Sequence, residues 1–173
     1  MQKPDEIRMR EALVLARKGY GRTSPNPMVG ALLVKGSVVI GQGWHRRAGG
    51  PHAEIIALNQ ARRRDYNVKG STLYVTLEPC TTTGKTPPCT EAIIAADIAR
   101  VVVAAKDPNP SHAGRAFRVL RRAGIEVVKN ILADEASTRT LTDDIQKAYS
   151  ILRDSTRLTT AQALEALSML RLA

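Results

Sequence analysis

The run from His52 to Ala105 decides the fold: HAEIIALNQARRR (52–64), STLYVTLE (71–78), PCTTTGKTPPC (79–89), TEAIIAADI (90–98) and RVVVAA (100–105). The first piece places Ile55, Ile56, Leu58 and Ala61 where one helix face would be buried. STLYVTLE is rich in β-branched residues and reads as a strand, whereas three prolines and a glycine bar residues 79–89 from helix or central strand. TEAIIAADI is a short helix opened by Thr90, a residue able to cap it, and RVVVAA is apolar enough to be a strand covered on both faces. Upstream, DEIRMREALVLARK (5–18) spaces Ile7, Met9, Leu13 and Ala16 as an amphipathic helix stopped by Gly19. GRTSPNP (21–27) is a loop, and MVGALLV and SVVIGQGW flank Lys35-Gly36 as a hairpin. After the RRAGGP loop (46–51) and the decisive run come a DPNPSHAG loop, a GRAFRVLRRAG helix and IEVVKN, a fifth strand. Strands alternating with helices predict an α/β sandwich with a mixed sheet, one domain over residues 1–130. Residues 131–173 read as two or three helices, with Ala161, Leu164, Leu167 and Leu170 forming an apolar stripe suited to packing or oligomerisation.

A chain of 173 residues, 43% hydrophobic, can bury a core, but at 3% aromatic content that core is aliphatic. No apolar run approaches the roughly 20 residues needed to cross a bilayer, and the charged start MQKPDEIRMREAL lacks a secretory pattern, so a cytoplasmic protein is expected. Two cysteines are too few for a disulfide framework, which leaves them open to metal or catalytic work. The net charge of +10 comes largely from scattered clusters, Arg46-Arg47, Arg62-Arg63-Arg64 and Arg121-Arg122. Such a pattern suits phosphorylated small molecules or a solvated surface as well as nucleic acid.

Three features stand together: His52-Ala53-Glu54 opening a helix, Pro79-Cys80 closing a strand, and Cys89 opening the next helix. A β-α-β arrangement brings two helix starts and a strand end to one edge of a sheet, and a helix N-terminus lowers a thiol's pKa. Three N/S ligands with one free position are the set expected of catalytic zinc, which makes water acidic enough to attack at neutral pH. Glu54, two residues from His52, can reach that water without ligating and move its proton. The spacing between the cysteines differs from the H-x-E…P-C-x-x-C pattern of zinc deaminases, so a structural zinc knuckle stays open on the residues alone.

SPNPMVGALLV, GWHRRAGGPHAE, TLYVTLEPC, GKTPPC and RVVVAAKDPNP, in this order over about residues 5–130, resemble the deaminase half of the bifunctional riboflavin-biosynthesis deaminase/reductase. That resemblance implies a three-layer α/β/α sandwich of the cytidine-deaminase type with a mixed five-stranded sheet. It implies zinc on His52, Cys80 and Cys89, Glu54 as proton shuttle, and hydrolytic deamination of a diamino-hydroxy-pyrimidinone bearing a ribosylamino 5-phosphate. Asn26 would hold the pyrimidine, and His45, Thr82, Lys85, Asp107 and Asn109 match positions around base or ribose phosphate. A homo-oligomer, dimer or tetramer, is also expected.

Two departures qualify the resemblance. Thr81-Thr82-Thr83 stand where the family carries one or two histidines, which opens the way to a related pyrimidine or nucleoside of a secondary-metabolite pathway, and His112 follows DPNPS where a small apolar residue is usual. Residues 131–173 show no phosphate loop or βαβ pattern, so the reduction is expected from a separate protein. A deaminase of nucleic-acid bases would want aromatic stacking partners, and Trp44, Phe117 and four tyrosines make a poor platform. A catalytically inactive zinc-containing binding protein would have no need of Glu54.

Overall fold

The computed structural model describes residues 3–83, 87–108 and 113–136. Four helices and five strands follow in the order α1 (Pro4–Arg17), β1 (Gly30–Lys35), β2 (Val38–Trp44), α2 (Ala53–Arg63), β3 (Thr72–Leu77), α3 (Cys89–Ala95), β4 (Arg100–Ala105), α4 (Arg115–Arg122) and β5 (Glu126–Val128). The sheet order is β2-β1-β3-β4-β5, antiparallel through β2, β1 and β3 and parallel through β3, β4 and β5. This is the mixed five-stranded sheet that the strand patterns predict. Among the described residues no helix is long and apolar enough to cross a membrane.

Alternation along the strands divides the core in two. Leu33, Leu73, Val75, Val101 and Val103 face Ala57, Leu58, Ile93, Phe117 and Leu120 of α2, α3 and α4. Leu32, Val34, Tyr74, Val102 and Ala104 face Met9, Ala12 and Leu13 of α1. Both faces of β4 are therefore covered, which is why its sequence is almost wholly apolar. Residues 131–136 form successive turns whose Ile131, Leu132 and Ala136 extend the α1 side of this core.

Two helix faces differ from the sequence reading. Ile7 is 45% exposed, and α1 buries Met9, Ala12, Leu13, Leu15 and Ala16 instead. On α2 the buried line is Ala53, Glu54, Ala57, Leu58 and Ala61, with Ile55 and Ile56 only half-buried. The cause lies opposite, on β2. A Cβ at Gly41 would overlap the Ala57 carbonyl oxygen, and one at Gly43 would overlap that of Ala53 and stand 2.7 Å from the Ala57 nitrogen. Helix α2 lies so close to the strand that only small residues fit between them.

The start of α1 is tied to the sheet by charge. Asp5 accepts bonds from both Arg100 Nη atoms at 2.9 and 2.8 Å and from the Tyr74 hydroxyl at 2.9 Å. Arg100 also donates to Glu126 at 2.9 Å, so the charged cluster joins α1, β3, β4 and β5. The Arg100 hydrogen bonds, with help from Tyr74 and against burial, hold the Asp5 carboxyl below its ordinary pKa. Both ionic side chains are about a quarter exposed (25% and 23%), which moderates the gain. Asp5→Ala is expected to cost about 1–2 kcal/mol at neutral pH. Because the folded-state pKa is the lower one, that contribution is complete above about 3.9, the unfolded value, and disappears as pH falls through the folded value. Urea titrations of both proteins at pH 7 and pH 3 check this: the gap between them narrows at the lower pH.

Candidate active site

The ends of β2, β3 and β4, the approach to β1 and the starts of α2 and α3 meet at one end of the sheet. The topology makes this so, because each helix follows its strand and returns across the face. His52 is the residue before α2, in extended conformation, and leaves the capping role empty. Its side chain turns instead to the cysteines: Nδ1 is 3.1 Å from Cys89 Sγ and 3.5 Å from Cys80 Sγ.

The first turn of α3 fixes the cysteines relative to each other. The Cys89 amide donates to Cys80 Sγ at 3.2 Å. Thr90 does not cap the helix, whose N-cap is Pro88; it donates through its amide and its hydroxyl, each at 3.2 Å, to the Cys80 carbonyl. The potential donor atoms of His52, Cys80 and Cys89 all lie within 4.8 Å of one another. The hydrogen bond from the Cys89 side chain, aided by His52 and the Cys89 amide, draws the Cys80 thiol well below its usual pKa. That same contact, with burial, pushes the Cys89 thiol up. A divalent cation placed among them would meet two cysteine sulfurs and an imidazole nitrogen. Such a mixed nitrogen and sulfur set fits zinc and leaves a fourth position free.

Beside this cluster lies a cavity of about 200 Å³ whose walls include Asn26, His45, Glu54, Glu78, Cys80 and Asp107. Glu54 is 3% exposed, and burial raises its carboxyl pKa, so a proton on it is held more readily than on a surface glutamate. His45, also 3% exposed, has Nδ1 3.2 Å from the Pro51 carbonyl, an atom that can only accept. Burial lowers the His45 pKa, so the neutral ring carries its hydrogen on Nδ1 and offers Nε2 as acceptor. Asn26 Nδ2, 3.3 Å from that Nε2, donates to it. This relay fixes the Asn26 amide and leaves its Oδ1 as the acceptor available to a ligand.

Not every expected residue reaches this cavity. Thr82 is exposed and is not among the lining residues. Lys85, Asn109 and His112 lie outside the described residues. Conversely, Glu78 was assigned no role from sequence and Thr90 only that of a cap, yet both make hydrogen bonds beside the cluster. The only hint was a glutamate ending an apolar strand just before the Pro-Cys pair, a place where an unpartnered acid would be costly.

Cys89→Ser is expected to reduce bound zinc from about one per chain to a small fraction of that. Elemental analysis after dialysis against a weak chelator measures it, and full occupancy in the variant would exclude Cys89 as a ligand.

Comparison with known proteins agrees with this geometry. Residues 2–105 match the model of the cytidine and deoxycytidylate deaminase zinc-binding region. The riboflavin biosynthesis protein RibD of Aquifex aeolicus is 49% identical over 161 residues, 93% of this chain and 44% of the relative. The chain thus spans less than half the length of that relative. The diaminohydroxyphosphoribosylamino-pyrimidine deaminase of Buchnera aphidicola subsp. Schizaphis graminum is 44% identical over 132 residues, 76% of this chain and 88% of the relative. Among solved structures, a diaminohydroxyphosphoribosylaminopyrimidine deaminase/5-amino-6-(5-phosphoribosylamino)uracil reductase of Thermotoga maritima superposes with a TM-score of 0.76 at 43% identity, covering 83% of this chain and 41% of that one. A sheet of this order, a His/Cys/Cys cluster at its strand ends and these matches together place the chain in the cytidine and deoxycytidylate deaminase family, within the branch that includes the riboflavin-pathway deaminases.

Proposed function

We propose that this chain is a zinc-dependent hydrolytic deaminase of diaminohydroxyphosphoribosylaminopyrimidine, acting in riboflavin biosynthesis. The observation that carries the reading is the buried Glu54 carboxyl in one cavity with the His52/Cys80/Cys89 cluster and the Asn26–His45 pair. The names and identities of the relatives supply the substrate.

His52, Cys80 and Cys89 hold the metal, and what zinc supplies in such a site is Lewis acidity that brings water to nucleophilic strength near neutral pH. Asn26 turns its Oδ1 to the donor edge of the pyrimidine, its orientation set by His45. Glu54 takes one proton from the attacking water and passes it to the ring nitrogen, then moves the second, from the hydroxyl now on the ring carbon, to the amine, which leaves as ammonia while that carbon keeps the oxygen as a carbonyl. Asp107, in the wall of the same cavity, is assigned to the ribose. Lys85 and Asn109 complete the phosphate and base contacts in this reading, which the sequence resemblance suggests.

A cavity of about 200 Å³ with no tryptophan, tyrosine or phenylalanine among the described residues of its walls suits a free pyrimidine better than a base stacked out of nucleic acid. The free cysteines fit a reducing, cytoplasmic compartment. A homo-oligomer belongs to the same reading, and α1 offers Ile7 and Val14, 45% and 58% exposed and two turns apart, as apolar surface for it.

Glu54→Gln is expected to keep its zinc and to lose about 10²–10⁴-fold in kcat. Ammonia release from the phosphorylated pyrimidine, read beside metal content, tests this; wild-type rates in the variant would remove Glu54 from the reaction. The Asn26–His45 relay requires a neutral imidazole, and the His45 pKa lies below 6.5. Substrate affinity, followed as 1/KM, should stay level from pH 8 to about 6.5 and fall only at lower pH as His45 gains a proton and can no longer accept from Asn26. Affinity that is already lost between pH 8 and 7 would contradict the neutral relay.

A further inference from the structure

We propose that Glu78 is a positioning residue for the substrate pocket: its buried carboxylate joins both ends of the segment between β4 and α4 and thereby holds Asp107 at the cavity wall. The inference rests on the function proposed above. Glu78 follows β3, lies two residues before Cys80 and is 5% exposed. Its own amide donates to the Ala105 carbonyl at 2.9 Å, continuing the β3–β4 pairing to the rim of the site. Its side chain then accepts from three backbone N–H groups of the next segment. Oε2 takes the Asp107 amide at 3.2 Å and the Gly114 amide at 2.8 Å, and Oε1 takes the Ala116 amide at 3.0 Å.

Asp107 is where the chain leaves β4, whereas Gly114 and Ala116 are where it enters α4. One carboxylate therefore closes the segment, as a disulfide closes a loop, and removes most of the freedom its ends would have. The negative charge also sits at the N-terminus of α4, where the helix dipole favours it. Glu78 is thus the link between the strand that delivers Cys80 and the segment that delivers Asp107, so the metal cluster and the far wall of the pocket share one anchor.

Only a carboxylate can do this. In Glu78→Gln one oxygen becomes an NH₂ group, which must face at least one backbone N–H donor, so at least one bond is lost and two donors are opposed. Glu78→Asp keeps both acceptors on a stem one methylene shorter and should retain part of the anchor.

Hydrogen exchange read by mass spectrometry on the zinc-loaded full chain tests the proposal, together with zinc content and steady-state deamination. Amides at 107 and 113–116 should exchange about tenfold faster in Glu78→Gln and by an intermediate factor in Glu78→Asp. Peptides across α2 and β3 should stay as in the wild type, and zinc should remain bound. KM should rise about tenfold in Glu78→Gln with a much smaller fall in kcat, and Glu78→Asp should recover part of the difference. Unchanged exchange at 107 and 113–116 would overturn the inference, as would a kcat loss with KM unaltered. Should the glutamine variant unfold, the aspartate variant decides by the same exchange and KM criteria. If the wild-type chain releases no ammonia from the pyrimidine, the proposed substrate fails, while the exchange arm still decides whether Glu78 anchors the segment.

Discussion

The close seating of α2 on β2 is the constraint from which the rest of the site follows. The Ala53 and Ala57 backbone lies where the Cβ atoms of Gly43 and Gly41 would be, so this helix is set at a height that larger side chains on either side would not allow. Its first turn carries Glu54, and the residue before it is His52. Raising the helix by the width of a methyl group would draw both away from Cys80 and Cys89, which are placed independently by β3 and α3. Close packing of the interior leaves little slack to absorb such a shift.

A second set of contacts settles the chemistry inside that frame. Backbone N–H groups at the start of α3 point at Cys80, His52 lies against both sulfurs, and the contact between the sulfurs draws the Cys80 thiol's pKa down while it and burial push that of Cys89 up. Close by, burial raises the Glu54 carboxyl while it lowers the His45 imidazole, so one cavity keeps both an acid able to hold a proton and a neutral ring. Desolvation acts with opposite sign on an acid and a base, and this pocket uses both directions.

His52, Glu54, Cys80 and Cys89 were legible because each sits at a strand end or helix start, and topology brings such points together; Asn26, His45 and Asp107 were expected only from the family resemblance, and they line the same cavity. Helix faces were read less well. Periodicity favoured Ile55 and Ile56 as the buried positions of α2 because large apolar residues carry the signal; contact with glycines on β2 selects alanines instead. Thr90 looked like a cap, yet a proline precedes the helix and the hydroxyl finds the Cys80 carbonyl. Thr82, which stands where the family carries a histidine, is exposed.

By itself the sequence determined the α/β alternation, the mixed sheet, the donor types for a metal and the acid beside them, since these depend on residue chemistry and short-range spacing. The tertiary structure decided which atoms face one another. The tautomer of His45 and the orientation of Asn26 follow from a Pro51 carbonyl that no spacing rule points to. The role of Glu78 follows from three N–H groups contributed by residues 107–116, about thirty to forty positions along the chain. A glutamate at the end of a strand has no partner that sequence alone can name; only the closed fold supplies the donors that make its burial tolerable.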